Sequence, residues 1–474
     1  MEKSYTKIVK DFFNKIANER DRWKNKNRYY HQQIAKLCRF LIPPKKSALD
    51  IGCGTGDLLV SLSPNYGVGL DISENMVKIA QKKYPNLKFY TQDAQNITIS
   101  ERFDYVILSD ILGDLEDIQK VFEELKKVSD EKTRIIITFY NYLWEPILTI
   151  GEKFGLKMRQ PIQNWLGKKD VENILNLAGL EVIKSGKYLL FPTYIPFISN
   201  IVNTYIARLP IVRDFCLVNY FIVRKNPNFY PDKEYSVSVV IPARNEAGNI
   251  EDAVIRTPKL GKSTELIFVE GHSKDSTKEE IRRVMEKYKN KKNILLVDQG
   301  KGKGKADAVR RGFEKATGEI LIILDADLTV APEELQKFYQ LLRTNKSEFV
   351  SGSRLVYPLE KDAMRFLNKL GNKFFSLIFT WLLDQEVKDT LCGTKALFRS
   401  DYNLISANRS YFGDFDPFGD FDLMFGASKL NLKMSEIPIR YKARAYGTTN
   451  ISRFTHGWLL LKMTFFAAKK LKFV

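Results

Sequence analysis

A chain of 474 residues is too long for one ordinary domain and predicts two or three. Its 44% apolar content, including 31 Phe, can fill substantial cores and excludes an intrinsically disordered protein. The formal charge of +19 implies an anionic partner: nucleic acid, an acidic membrane surface or a phosphorylated small molecule.

The first segment, MEKSYTKIVKDFFNKIANERDRW, mixes both charge signs and lacks an apolar core, so it does not read as a signal peptide. From residue 47 the runs SALDIGCGTGDLLVSL, YGVGLDIS, LKFYTQDA, FDYVILSD and RIIITFYN alternate with helical patterns. That alternation predicts a parallel sheet flanked by helices. Between Trp144 and about Tyr220 the pattern is less regular, and the stretch LLFPTYIPFISNIV is expected to cap a substrate cleft. RKNPNFYPDKEY, with two prolines and many polar groups, suits a linker and divides the chain into domains 1–228 and 229–474. A second alternation follows in SVSVVIPARNE, ELIFVEGHS, NILLVDQGKGKG and EILIILDAD. The expected fold class is α/β, with two doubly wound domains that are not copies of one another.

Cys38, Cys53, Cys216 and Cys392 are scattered and form no CxxC pair. They fit reduced thiols in a cytosolic compartment rather than a disulfide framework or structural zinc. His31, His272 and His456 are too few and too dispersed for a metal cluster. No run reaches the roughly 18–20 apolar residues of a membrane span, so a soluble or peripheral protein is expected.

In ALDIGCGTGD, Gly52, Gly54 and Gly56 follow a buried strand at alternate positions. Glycines there let backbone N–H groups approach a ligand closely at a helix N-terminus, where negative charge is favoured. Asp71 ends the next strand, 21 residues after Asp50, where doubly wound nucleotide-binding folds hold a ribose diol. LDIGCGTG, GLDIS, TQDA and FDYVILSD together resemble the class I S-adenosylmethionine-dependent methyltransferases over roughly residues 30–185. The resemblance implies S-adenosyl-L-methionine as cofactor, with Asp50 and the three glycines on its methionine and ribose side. It would place Asp71 on the ribose hydroxyls, Asp93 toward the adenine amino group, and Ser109 and Asp110 near the transferred methyl group. No motif of the kind used for amino-methylation of DNA bases is visible, and the methyl acceptor is not legible.

In the second half, VSVVIPARNEAGNI turns into a helix through Pro242, Arg244, Asn245 and Glu246. LIFVEGHSKDST repeats the design with Glu270 and Asp275, and the lysine- and glycine-rich QGKGKGKADAVRRG carries Lys305. Then Asp325 and Asp327 end the apolar run EILIILDAD. Carboxylates after several parallel strands converge on one sheet edge, where ligands bind. Hard divalent cations prefer such oxygen ligands and are readily shared with a substrate diphosphate.

This ordered set resembles an inverting family 2 glycosyltransferase of GT-A fold, nearest its dolichyl- or polyprenyl-phosphate mannosyl- and glucosyltransferase branch, over about residues 236–474. The later motifs GSRL (Arg354), DTLCGTKALF (Asp389), FGDFDLMF (Asp420, Asp422) and RAYGTTNISRF (Arg444) carry the match further. The resemblance implies Mg²⁺ or Mn²⁺ on Asp327 and Asp325, with Asp325 the partner toward the nucleotide. Pro242, Arg244, Glu246, Glu270 and Lys305 would bind a nucleotide sugar of the GDP-mannose or UDP-glucose type. Arg354, Arg365 and Arg444 would gather phosphates, while Asp389 or Asp422 orients the acceptor. Two departures bear on substrate choice: Glu270-Gly271 replaces a pair of acids, and Asn450 replaces a lysine.

DAMRFLNKLGNKFFSLIFTWLLD has apolar residues at helical spacing, with Arg365, Lys369 and Lys373 on the other side. The C-terminal HGWLLLKMTFFAAKKLKFV is aromatic, aliphatic and cationic. Both fit a bilayer interface, where a lipid acceptor would be presented; a core-facing helix with a solvated face is the alternative.

The expected activity is therefore bifunctional: sugar transfer to a polyprenyl-phosphate-type lipid and methylation of an unknown acceptor, in glycolipid or cell-envelope glycan synthesis. The chain would be peripheral on the cytoplasmic face of a membrane, with no nucleic-acid partner. Alternatives are a glycosyltransferase acting on a sugar hydroxyl with a regulatory cofactor-binding domain, and a basic nucleic-acid methyltransferase.

Overall fold

The computed structural model describes residues 4–161, 163–229, 233–356, 366–411, 421–442, 446 and 453–473. Two compact units divide the chain near residue 229. Each builds its own seven-stranded sheet.

The first unit's strands are β1 (Ser47–Ile51), β2 (Tyr66–Asp71), β3 (Lys88–Thr91), β4 (Tyr105–Ser109), β5 (Arg134–Tyr140), β6 (Leu180–Tyr188) and β7 (Val218–Lys225). They lie in the order β3-β2-β1-β4-β5-β7-β6; the first five are parallel and β7 runs antiparallel to both its neighbours. Strands covered on both faces read as near-continuous apolar runs, which is why SALDI and YVILS were legible. Strand order reverses between β1 and β4, and the crevice at their carboxyl ends is where such sheets bind ligands.

Three helices precede the sheet: α1 (Tyr5–Ile16), α2 (Arg20–Lys26) and α3 (Arg28–Leu41). Inside it follow α4 (Asp57–Ser61), α5 (Glu74–Lys83), α6 (Ile118–Glu124), α7 (Glu145–Lys153), α8 (Lys168–Leu177) and α9 (Ile198–Thr204). α3 buries Tyr30, Ile34, Leu37, Cys38 and Leu41 at helical spacing against one sheet face. The irregular stretch after Trp144 resolves into α7, α8, the two last strands and an excursion carrying α9.

The second unit's strands are β8 (Val237–Ala243), β9 (Thr264–Glu270), β10 (Asn293–Asp298), β11 (Ile320–Ile323), β12 (Phe349–Ser353), β13 (Lys395–Phe398) and β14 (Met434–Pro438), in the order β10-β9-β8-β11-β13-β12-β14. β8 to β11 are mutually parallel, and β13 is antiparallel to both its neighbours. Its helices are α10 (Ile250–Arg256), α11 (Thr277–Tyr288), α12 (Gly304–Lys315), α13 (Leu335–Arg343), α14 (Phe366–Leu383), α15 (Arg399–Ala407), α16 (Phe421–Lys429) and α17 (Arg453–Leu471). No helix among the described residues is long and apolar enough to cross a membrane.

Candidate active sites

In the first unit a cavity of about 800 Å³ opens at the carboxyl ends of β1, β2 and β4. Asp50, Gly52, Gly54, Asp71, Asp93, Ser109 and Asp110 all line it. The loop after β1 takes positive φ at each glycine, +77° at Gly52 and +53° at Gly54, which a side chain would resist. A Cβ on Gly52 would sit 2.4 Å from Ile111 Cγ2. Gly54 N–H donates to Asp71 Oδ2 at 2.8 Å, and Ser73 N–H to Asp71 Oδ1 at 2.9 Å. These bonds fix the β2 carboxylate at the cavity wall. Gly56 differs from its sisters: its Cβ would strike Phe89 Cζ at 2.8 Å, so it permits close packing rather than facing the cavity.

Asp50 is buried, and its Oδ2 has no hydrogen-bond partner among the described residues. Burial pushes it up to about 7, with Lys24 opposing and Asp71 adding to the rise. An orphaned buried carboxylate oxygen in a glycine-cradled cavity fits a polar, cationic ligand such as S-adenosylmethionine. Asp110, at φ +58°, accepts from Tyr30 Oη at 2.5 Å and Thr138 Oγ1 at 2.8 Å; burial raises it against those bonds. Ser109 Oγ lies 3.1 Å from Thr138 Oγ1, and Asp93 accepts Gln95 N–H at 2.9 Å.

Sequence reasoning missed the contribution of the N-terminal helices. Lys24 of α2 donates to Thr55 Oγ1 at 2.9 Å and Asp57 Oδ2 at 2.6 Å, tying that helix to the glycine loop. Against the cost of burial, Lys24 and Lys83 hold Asp57 well below the usual carboxylate range. Tyr30 and His31 of α3 also face the cavity. Burial, then Arg20 and Lys24, press His31 down to about 3, so it stays neutral. Asp114 also lines the cavity, and burial raises it to about 6 against a Gln163 hydrogen bond. The amphipathic period of α3 was a readable signal; its place on the cavity wall was not.

In the second unit, β11 ends at Ile323 and the chain turns, with Leu328 N–H donating to the Asp325 carbonyl at 3.2 Å. Asp325 and Asp327 therefore lie in a turn and escape the alternation of a continuing strand. Lys305 of α12 contacts Asp325 Oδ1 at 2.6 Å, and outweighs burial to keep that carboxyl below its ordinary range. A Cβ on Gly393 would fall 2.2 Å from both Lys305 Nζ and Asp325 Oδ2, so the pair needs glycine there. Asp327 accepts Thr329 Oγ1 at 2.8 Å.

Glu246 and Glu270 are buried at the ends of the β8 and β9 turns. Asn249 Nδ2 donates to Glu246 Oε2 at 2.7 Å, and Ser273 N–H donates to Glu270 Oε1 at 2.6 Å. Pro242 lies in β8 and Arg244 is exposed just after it. Gln299, unnoticed in the sequence, bridges the glycine-lysine loop by donating to Gly304 carbonyl at 2.8 Å and Asp307 Oδ2 at 3.0 Å. Among the described residues no group of three or more His, Cys, Asp or Glu converges as a metal cage. Two neighbouring carboxylates still fit a hard divalent ion, because Mg²⁺ commonly takes one or two carboxylates and completes its shell with substrate phosphates and water.

Arg354 and Asp389, assigned separate tasks by the sequence, form one buried fork. Nε and Nη2 donate to Oδ2 and Oδ1 at 2.7 and 2.8 Å, and Arg354 N–H adds a third bond at 3.0 Å. Asn372 Nδ2 also donates to Asp389, at 2.8 Å. Asp422 sits between two guanidinium groups, Arg310 at 3.3 Å and Arg409 at 3.2 Å, neither of which the sequence singled out. Arg365, Asp420, Arg444 and Asn450 lie outside the described residues.

A family model described as a methyltransferase domain matches residues 42–179, and one described as glycosyl transferase family 2 matches residues 238–404. Dolichol-phosphate mannosyltransferase of Pyrococcus furiosus is 30% identical over 220 residues, 45% of this chain. The chain spans 59% of that relative's length. An uncharacterized protein of Methanocaldococcus jannaschii is 30% identical over 181 residues, covering 36% of this chain and 82% of that protein. Among solved structures, a SAM-dependent methyltransferase (possible histamine N-methyltransferase) of Thermotoga maritima is similar at 18% identity and TM-score 0.38, covering 46% of this chain and all of that one.

Proposed function

This chain belongs to glycosyl transferase family 2 and carries a methyltransferase domain ahead of it, and from that premise we propose a bifunctional enzyme acting at a membrane surface. The second unit would transfer a hexose from a nucleotide sugar of the GDP-mannose or UDP-glucose type to a polyprenyl-phosphate lipid. The first would use S-adenosyl-L-methionine to methylate an acceptor in the same glycolipid or cell-envelope assembly. The observation that carries the reading is the Lys305–Asp325 pair beside Asp327, set at the carboxyl edge of the sheet with Glu246 and Glu270 at neighbouring strand ends.

In this mechanism Glu246, Glu270, Arg244 and Pro242 bind the nucleotide, and Lys305 fixes the Asp325 carboxylate toward it. A Mg²⁺ or Mn²⁺ ion held by Asp327 and Asp325 would supply charge neutralisation for the departing diphosphate. The acceptor phosphate oxygen is ionised near neutral pH, so it can attack the anomeric carbon without a strong general base. The C–O bond to the diphosphate breaks on the opposite face and carries its electron pair away. Arg310 and Arg409 beside Asp422 present positive charge suited to the acceptor phosphate. The Arg354–Asp389 fork positions the wall, with Arg365 and Arg444 as further phosphate ligands. Membrane association is supported by exposed Phe374 and Leu377 on α14 and Trp458 and Phe465 on α17, apolar side chains on helices whose other faces are buried.

The test is transfer of radiolabelled sugar into organic-extractable polyprenyl phosphate. Transfer should require Mg²⁺ or Mn²⁺ and fall at least about 100-fold in Asp327→Ala. Undiminished transfer in that variant, or with chelator present, would overturn the metal assignment.

A further inference from the structure

The excursion between β6 and β7 is built inside out. On α9 the buried side chains are polar: Ser199 and Asn203, 0% and 7% exposed and four residues apart. Ser199 Oγ donates to the Thr193 carbonyl at 2.8 Å and accepts Ile195 N–H at 2.6 Å. Asn203 Oδ1 accepts Leu190 and Phe191 N–H at 2.9 Å, and its Nδ2 donates to the Phe191 carbonyl at 2.8 Å. Ile198 and Ile201 of the same helix are exposed. Two tips flank it, each an apolar residue after a proline: Phe197, 84% exposed at φ +66°, and Ile211, 77% exposed at φ +73°. Bulky and β-branched residues seldom adopt that backbone region.

Helix α7 continues the surface. It buries none of its nine residues, yet Ile147 and Ile150 are exposed on it. Trp144 Nε1 donates to the Phe215 carbonyl at 2.8 Å, and Asn141 Nδ2 to the Asp214 and Cys216 carbonyls at 3.0 Å, which joins the two segments. Thirty large apolar side chains are exposed among the described residues; six lie in 142–156 and ten in 194–215, so these two short stretches hold sixteen. Singly exposed apolar residues are ordinary, but a contiguous patch marks an interaction surface.

Charge and position select the occupant. Segments 142–160 and 187–216 carry six basic and three acidic residues; Lys153, Arg159 and Arg213 are exposed, as are Glu145 and Asp214, which leaves the surface net basic. Ile147, Leu156, Pro192 and Thr193 also line the cavity, so the patch rims its mouth. We propose that the methyltransferase unit docks on an anionic bilayer through α7 and this excursion, and that its methyl acceptor is an amphiphile reached at headgroup level. The proposal rests on the membrane-surface reading above and names the surface and acceptor class on the methyltransferase side.

All four natural cysteines are buried, so a single introduced thiol can be labelled cleanly. The experiment attaches an environment-sensitive dye to Phe197→Cys or Ile211→Cys in the full chain, with Lys78→Cys on α5 as control. Vesicles of phosphatidylcholine and phosphatidylglycerol in equal parts are then added. Dye at 197 and 211 should shift to the blue and resist an aqueous quencher, while the control stays in water. Phe197→Asn with Ile211→Asn, suited to left-handed backbone, should weaken vesicle affinity about threefold or more, with S-adenosylhomocysteine binding unchanged. If the chain floats with vesicles but both tips stay wet, this proposal fails and the membrane-surface reading stands. If the chain does not float, both fail. Blue shifts that follow protein concentration without vesicles assign the patch to a second copy and overturn the proposal.

Discussion

Asp50 is one of several cavity carboxyls, with Asp71, Asp110 and Asp114, that burial raises. Its folded value near 7 lies above the ordinary carboxylate value, because burial penalises the charged form. The folded state therefore holds this proton more tightly than the unfolded chain. The stability it contributes is fully present below about pH 4 and is lost as pH rises through about 7. Asp114, with a folded value of about 6, acts in the same sense. Thermal stability of the ligand-free protein is expected to fall between about pH 4 and 7, and Asp50→Asn should flatten that slope. Scanning unfolding across that range measures it; a slope unchanged in Asp50→Asn would refute the assignment. Gly52 tests the geometry of the same wall. Gly52→Ala forces a positive-φ Cβ onto Ile111, so cofactor binding by titration calorimetry should weaken at least about tenfold, with a stability loss of roughly 1–3 kcal/mol.

Between elements, the Arg354–Asp389 fork joins the end of β12 to the segment before β13. Burial opposes the Arg354 charge, and Asp389 more than restores it. Removing one partner leaves the other ion stranded. Asp389→Ala should cost roughly 3–5 kcal/mol in denaturant unfolding, whereas Arg354→Met with Asp389→Leu should cost much less. Equal losses in both variants would mean that the fork acts through packing rather than charge. Glu436 of β14 accepts Asp389 N–H at 3.0 Å, and Asn372 of α14 donates to the same carboxylate. Those partners were illegible in the sequence, since neither spacing nor period links residues 372, 389 and 436. The strand cores were legible for the opposite reason: ILII and VSVVIPA are locally apolar and end at turn residues. Lys24 shows the same boundary. α2 has no buried residue, yet tertiary packing brings its lysine to Thr55 and Asp57.

At the scale of the whole chain, the division near residue 229 leaves each unit with a complete sheet and its own buried cluster. The division falls within RKNPNFYPDKEY, whose first two residues, Arg224 and Lys225, still belong to β7. The glycine loop and the acidic strand ends were legible as candidate sites because each follows an apolar strand; how α1 to α3 line the first cavity was not, because amphipathic period gives a face without a destination. Two independent cores predict two separable unfolding transitions in differential scanning calorimetry. A ligand that binds only one folded unit stabilises that unit by mass action, by about 2.7 kcal/mol at a hundredfold excess over Kd. For units of this size that amounts to roughly 5–10 °C. S-adenosylhomocysteine should raise one transition alone, and UDP or GDP with Mn²⁺ the other alone. Asp71→Ala should abolish the first shift and spare the second, since Asp71 meets the glycine loop of the first unit only. Asp327→Ala should do the reverse. A single transition moved by either ligand would show that the units unfold as one body, and would make cofactor occupancy on one sheet a determinant of stability on the other.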